Sequence, residues 1–211
     1  MTPADHPAAG ERESVKLTNL TLGFADPPYL GCGKLYAAHH PNALDWDDPA
    51  AHRALVGRLQ DEFDGWALHL AATHESIALY APLVAGTGAR WMFWTKTFAA
   101  FKRNVSVAYA WEPVIVKPAR KPVVSKRIVM RDWIACPITL KRGLTGAKPE
   151  EVCHWIFELL GARPEDDLHD LFPGTGAVTR AWESWKLKFA LPARGPLFSA
   201  GRAAPSEKAD A

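Results

Sequence analysis

The chain is poor in cysteine. Cys32, Cys136 and Cys153 are an odd number at wide spacing over 211 residues. That fits neither a disulfide framework nor a zinc-ligand pattern, and a reducing cytoplasm is the simplest setting. Metal-binding clusters are lacking too: His39-His40 has no further ligand at metal spacing and reads as a solvated loop, so no metal is expected. There is no apolar run of 18 residues, which excludes a membrane-spanning helix. Met1 to Ser14 has no apolar stretch of the signal-peptide kind. Residues 1–18 read as a disordered arm, and the Ala-, Pro-, Arg- and Ser-rich residues 191–211 as a disordered tail. No internal repeat is visible. What remains, 48% hydrophobic and 23% charged, suits one well-buried globular domain over 19–190.

Acids are scarce in one region. From Lys96 to Lys148 twelve basic residues face two acids, Glu112 and Asp132, so that span carries +10 and the rest −8 within a total of +2. The cations are Lys96, Lys102, Arg103, Lys117, Arg120, Lys121, Lys126, Arg127, Arg131, Lys141, Arg142 and Lys148. A basic block in an otherwise acidic chain favours a polyanionic partner over a merely solvated face. Its residues 117–147, with three prolines and little periodicity, read as an extended basic arm, with Trp133 and Ile134 anchoring it to the core. Nine tryptophans are many, and Trp91, Trp94 and Trp111 are candidates for stacking, although tryptophans are more often core.

The rest alternates strand and helix. Strands are expected over 19–25, 65–71, 90–95, within 105–116 (interrupted at Glu112-Pro113), and over 168–172. Helices are expected from Asp48-Pro49, with Asp as N-cap and Pro at the first position, over 74–84, over 150–160 ending at Gly161, and from about 177 to 189. That alternation predicts an α/β fold with a mostly parallel sheet and helices on both faces.

Two strand ends stand out. Asp26-Pro27-Pro28-Tyr29 follows the run Leu20, Leu22, Phe24. Two prolines force the chain out of the sheet on stiff backbone, leaving an acid and an aromatic at a strand's carboxyl end, where open α/β sheets bind ligands. Asp26 and the Pro27 carbonyl could accept hydrogen bonds from an exocyclic amine, and Tyr29 could stack on a planar base. The long loop to Asp47 follows directly and is placed to close over a substrate. The second strand end is Asp170-Leu171-Phe172-Pro173-Gly174-Thr175-Gly176, a glycine turn running into a helix, suited to a carboxylate.

Together these resemble the S-adenosylmethionine-dependent amino-methyltransferases that act on adenine N6 or cytosine N4 in DNA. Asp26-Pro27-Pro28-Tyr29 matches their catalytic Asp/Asn/Ser-Pro-Pro-aromatic motif. Asp170-x-Phe172-x-Gly174-Thr175-Gly176 resembles their cofactor motif, and Lys148-Pro149 their Lys-Pro element beside the cofactor. The catalytic strand comes before the glycine turn, which resembles the permuted beta-class order. Trp111-Glu112-Pro113-Val114-Ile115-Val116 and Arg131-Asp132-Trp133 resemble stretches of small solitary DNA methyltransferases of actinobacteria and their phages. The resemblance covers about residues 19 to 189. It implies a Rossmann-like class I methyltransferase sheet, S-adenosylmethionine as cofactor, duplex DNA with a flipped base as partner, and a cytoplasmic setting in a bacterial or phage-infected cell. Asp at the first catalytic position favours adenine N6.

The chain departs from that family in two respects. No strand bearing a ribose-binding acid can be placed after the helix near Trp182 to Phe189, so the sheet is expected to lack edge strands. No large target-recognition domain is present, which leaves that task to the basic segment. Cys136-Pro137 reverses the Pro-Cys of cytosine-carbon methyltransferases and is not read as a nucleophile. The alternatives are a cytosine-N4 or RNA methyltransferase, since the basic block fits RNA as well as DNA, and an inactive nucleic-acid-binding protein of the same shape.

Overall fold

The computed structural model describes residues 18–38, 42–98, 106–121, 130–139 and 147–190. The N-terminal arm up to residue 17, the C-terminal tail, His39-His40 and the cations Lys102, Arg103, Lys126, Arg127, Lys141 and Arg142 lie outside the described residues.

Six strands form one sheet: β1 Thr21–Ala25, β2 Gly65–His69, β3 Arg90–Lys96, β4 Trp111–Lys117, β5 Trp133–Cys136 and β6 Asp167–Asp170, in the order β5-β3-β4-β2-β1-β6. β6, β1 and β2 pair in parallel, as do β3 and β5, while β4 runs antiparallel to both β2 and β3. Five carboxyl ends and the amino end of β4 therefore share one rim. Among the described residues β6, the strand that leads into the glycine turn, is an edge strand.

Period-two alternation divides the sheet's side chains between two layers. On one face Phe24, Ala67, Trp94, Val114 and Val116 pack against α4 (Glu150–Leu160) and α5 (Ala177–Ala190). On the other, Ala25, Trp66, Leu68 and Ile115 pack against α2 (Pro49–Glu62) and α3 (His74–Val84). Phe157 of α4 is fully buried and meets the rings of Trp182 at 5.0 Å, Trp185 at 5.9 Å and Phe24 at 6.3 Å. The expected helix signals act as read. Asp48 accepts the Ala50 N–H at 2.8 Å, and Gly161 ends α4 at φ 65°, where a Cβ would also lie 2.6 Å from the Arg120 carbonyl.

Among the described residues six strands stand where about five were expected. The added one, β5, falls inside the span read as an arm. It has four residues, too few for a periodic signal, and it forms because β3 offers it an edge: Phe93 N–H donates to the Asp132 carbonyl at 2.9 Å, and the Trp94 indole N–H to that of Cys136 at 2.9 Å. Glu112-Pro113 does not interrupt the fourth strand but sits inside it. Leu70 N–H donates to the Pro113 carbonyl at 3.3 Å, and proline, having no N–H, returns no bond. The loop after Tyr29 is partly helical, with a short α1 (Gly33–Tyr36) and a 3-10 turn (Ala43–Asp47). No described helix is long and apolar enough to cross a membrane.

Candidate active site

Four neighbouring strands deliver polar groups to the carboxyl rim, all on the α4 face. Asp26 follows β1, His69 ends β2, Glu112 is the second residue of β4 and Lys96 ends β3. Each shares its parity with core residues of that face: Phe24, Ala67, Val114 and Trp94. Lys148, two residues before α4, reaches across all of them.

The Lys148 ammonium has three donors and meets three acceptors: Asp26 Oδ1 at 2.9 Å, Glu112 Oε1 at 3.1 Å and the Tyr29 hydroxyl at 3.1 Å. Tyr29 donates its O–H to Glu112 Oε1 at 2.7 Å, with Asp26 Oδ1 a longer 3.3 Å away. His69 Nδ1 lies 2.9 Å from Glu112 Oε1, and Lys96 Nζ 3.1 Å from Oε2. Glu112 thus joins four partners from four segments. Among the described residues, Asp26 Oδ2 takes no bond and the buried His69 Nε2 has no partner.

The charges explain the protonation states. Burial works against an ionised Glu112, but Lys148, His69 and Lys96 outweigh it and hold the carboxyl well below its usual range. Burial likewise opposes the Lys148 ammonium, and Asp26 and Glu112 more than reverse this, so Lys148 stays charged above its ordinary value. Tyr29 is pushed well up, by burial first and then by Glu112 and Asp26, so its hydroxyl keeps its proton. Asp26, His69 and Glu112 carry ligand atoms within 4.8 Å of one another and could in principle hold a cation. The Lys148 ammonium already fills that role. Burial pushes the Cys153 thiol, in α4, up to about 12, too high for a nucleophile at neutral pH.

The glycine turn lies one strand away. Phe24 registers with Asp170, and Leu171 N–H donates to the Phe24 carbonyl at 2.9 Å, so Asp26 and Phe172 leave neighbouring strand ends. Gly174 and Gly176 have φ of 42° and 69°, which disfavours any side chain there. Beside Gly174 a Cβ would meet only the Phe172 carbonyl, at 3.7 Å, which leaves open space. Arg180 Nη1 reaches back to the Thr175 carbonyl at 2.8 Å, placing a cation at the start of α5. Burial, and secondarily Asp26, raises the Asp170 carboxyl. Trp46, in the loop after Tyr29, packs on the Phe172 ring at 4.9 Å, bringing that loop to the turn. Pro149 caps α4 and is buried.

The structure thus brings together Asp26, Tyr29 and Lys148, with Pro27 and Pro28 buried beneath them. Lys148, grouped with the cofactor residues on sequence, contacts the Asp-Pro-Pro-Tyr segment. The described cations do not form one track. Lys96 points into the Glu112 cluster, and Arg120 at the opposite rim grips Asp166 at 2.5 and 2.8 Å; neither is free for a phosphate. Lys117, at the end of β4, and Lys121 also lie at that opposite rim, whereas exposed Arg131 covers the Trp133 ring at 5.3 Å. Of the tryptophans, Trp94 is core and Trp91 is half-buried. Trp111 is exposed beside Phe93, with ring centroids 5.6 Å apart.

Sequence reasoning missed Glu112 and His69. The signal was present: each is a polar residue at an inward position of an apolar strand, and Glu112 is one of two acids in a basic block.

In fold the chain is similar to a solved structure of an M1.HpyAVI–SAM complex, at a TM-score of 0.50 and 16% identity, covering 80% of this chain and 79% of that one. M1.HpyAVI in a further structure gives 0.46 and 15%, covering 80% and 77%. No protein-family model matches the chain, and no curated protein matches it in sequence. At such identity the likeness is one of architecture alone: a mixed six-stranded sheet between two helical layers, a Rossmann-like α/β fold.

Proposed function

We propose that this protein transfers a methyl group from S-adenosylmethionine to the exocyclic amine of a base in DNA, adenine N6 in preference to cytosine N4, in the permuted beta-class arrangement. The observation that carries the reading is the pair of adjacent strand ends. One presents a carboxylate with one oxygen tied and the other open; the next presents a glycine turn opening a helix. The fold shared with a protein solved in complex with SAM supports it.

The residues at the turn suit the amino-acid end of that cofactor. Asp170 offers a carboxylate to an ammonium, and the first turn of α5, with Arg180, offers N–H groups and positive charge to a carboxylate. Gly174, Thr175, Gly176 and Phe172 would line it. Bound there, the cofactor supplies a methyl group on a sulfonium.

The remaining chemistry is positioning. An aromatic amine is a weak nucleophile because its lone pair is delocalised into the ring. Asp26 Oδ2 and the Pro27 carbonyl would accept its two N–H groups and turn that pair toward the methyl group. Lys148, 2.9 Å from Oδ1, holds the Asp26 side chain in place for this task. As the N–C bond forms the amine becomes cationic and must lose a proton. Lys148 and Tyr29 hold their own protons, so Asp26, the most solvent-open carboxylate of the cluster with 20% of its side chain exposed against 7% for Glu112, is the exit. A base must leave the duplex to reach this rim, at a cost of a few kcal/mol, which stacking on an aromatic offsets by about 1–3 kcal/mol. Tyr29 has its hydroxyl anchored and its ring fixed for that contact.

The test is incubation with labelled S-adenosylmethionine and unmodified DNA or RNA, digestion, and mass spectrometry of the nucleosides. N6-methyladenine in DNA is expected. Label in cytosine or only in RNA would change the substrate, and no label with intact cofactor binding would overturn the activity.

A further inference from the structure

Asp26 can accept a substrate amine only if Lys148 does not claim both of its oxygens. An ammonium 2.9 Å from a carboxylate is as good a donor as any nucleobase amine, and it carries a full charge. What restrains it is Glu112, which takes the Lys148 ammonium at 3.1 Å and the Tyr29 hydroxyl at 2.7 Å on the same oxygen, Oε1. Glu112 is itself anchored from two more strands, by His69 at 2.9 Å and Lys96 at 3.1 Å. With 7% of its side chain exposed, it cannot turn to solvent instead.

We propose that Glu112 is a positioning residue for methyl transfer: it holds Lys148 and Tyr29 on Asp26 Oδ1 and so keeps Oδ2 free for the target amine. The inference rests on the reading of Asp26 as the acceptor of that amine. Glu112 does not touch the substrate. It shares the Lys148 ammonium between two carboxylates, so that Lys148 holds Asp26 by one oxygen only.

Removing the Glu112 charge while keeping its volume reverses that balance. In Glu112→Gln the ammonium falls to Asp26 alone and competes with the substrate. We expect kcat to drop tenfold or more, with S-adenosylmethionine affinity by calorimetry unchanged within twofold. A purely structural loss would not respond to pH, whereas this one does. Without Glu112, Lys148 loses one of the two carboxylates that hold its proton, so the activity of the variant should climb toward alkaline pH more than that of the wild type. The other groups facing Lys148 and Glu112 are Asp26, Tyr29, Tyr36, His69, Lys96 and Cys153, and all are unchanged in the variant. Adding Lys148→Met should recover part of the lost kcat by removing the competitor. Glu112→Asp, which keeps the charge one methylene further back, should lose less than Glu112→Gln, and it carries the same test if the glutamine variant does not fold.

A second readout needs no methyl transfer. Tyrosine ionisation, followed by absorbance and assigned by difference from Tyr29→Phe, should begin at lower pH in Glu112→Gln than in the wild type, since the Glu112 charge helps hold that proton. Wild-type kcat in Glu112→Gln, or a loss that neither pH nor Lys148→Met relieves, overturns the proposal while leaving the activity standing. Should the wild type transfer no methyl group at all, the shared reading of Asp26 falls, and the Tyr29 titration still reports whether Glu112 holds its neighbours.

Discussion

The two rims of the sheet each carry a buried ion pair, and they differ in kind. At the amino rim Asp166 accepts Arg120 in a two-pronged contact, together with the N–H groups of Leu20 at 2.9 Å and Arg163 at 2.8 Å. Arg120 also reaches the carbonyls of Gly161 and Thr18. One carboxylate meets one cation, both Asp166 oxygens are used, and the pair ties β1, β6 and the end of α4 together. At the carboxyl rim two carboxylates, two ammoniums, a histidine and a tyrosine from five segments crowd into one cluster, with one Asp26 oxygen and one histidine nitrogen unbonded among the described residues. A closed pair is what a fold needs to fix its elements. A crowded cluster with an open acceptor is what a reaction needs, and it persists only because surrounding β-structure holds it.

The contrast can be broken by mutation at either end. At the amino rim, Arg120→Ala leaves a buried Asp166 without its counter-charge. Such a loss costs about 3–5 kcal/mol, which should appear as a lower chemical-denaturation midpoint, with cofactor affinity of the folded fraction intact. At the carboxyl rim, Asp26→Ala should act the other way round. Methyl transfer falls by about 10²–10³ or more, the scale for removing one preorganised hydrogen-bonding group from a reacting centre. Stability and DNA binding change little, because Lys148 keeps Glu112 and Tyr29. A variant at Asp26 with full turnover would remove the proposed mechanism.

The two rims also differ in how much of them could be read beforehand. The Asp-Pro-Pro-Tyr exit and the glycine turn were legible because local chemistry dictates them: prolines end a strand, and Gly174 and Gly176 need positive φ whatever surrounds them. The helices were legible from Asp48, Gly161 and their apolar stripes. The antiparallel β4 was not, since strand direction is a property of the connection and not of the residues. β5 was hidden by its length. Arg120 and Lys96 were counted with the phosphate-seeking cations, because charge in a sequence carries no direction; only tertiary pairing turned one toward Asp166 and the other toward Glu112. Resemblance to a Lys-Pro element places Lys148 beside the cofactor, and its contacts with Asp26, Tyr29 and Glu112 were not legible because those residues lie far away in sequence.

That difference in direction sharpens into a salt experiment. If DNA binds, each phosphate neutralised by a cation contributes about one unit to the slope of log affinity against log salt. Arg131 is exposed on the sheet's outer edge, so Arg131→Ala should lower the slope by about one. Lys96→Met should leave the slope unchanged, because its charge is already committed to Glu112. Equal effects from both would mean that the carboxyl-rim cluster opens to meet the backbone.

The smallest effect separates the rims by pH. Asp166 and Glu112 are both held below their ordinary values of 3.8 and 4.5. The stability each contributes is present above those values and is lost as pH falls through the folded-state value, so both rims share an acid limb. The alkaline side belongs to one of them. Tyr29 is raised above 10.0 and Lys148 above 10.5, so the folded chain keeps protons that the unfolded chain releases, and stability declines as pH climbs past those ordinary values. The Arg120 guanidinium, already strongly basic, is raised further by Asp166, which takes the amino-rim pair out of the working range. Each retained proton steepens the decline by about 1.4 kcal/mol per pH unit. Denaturation midpoints between pH 9.5 and 11 should therefore fall less steeply in Tyr29→Phe than in the wild type, and Asp166→Asn should alter the acid limb alone. An alkaline slope indifferent to Tyr29 would mean that its hydroxyl is not held between Glu112 and Lys148 in solution.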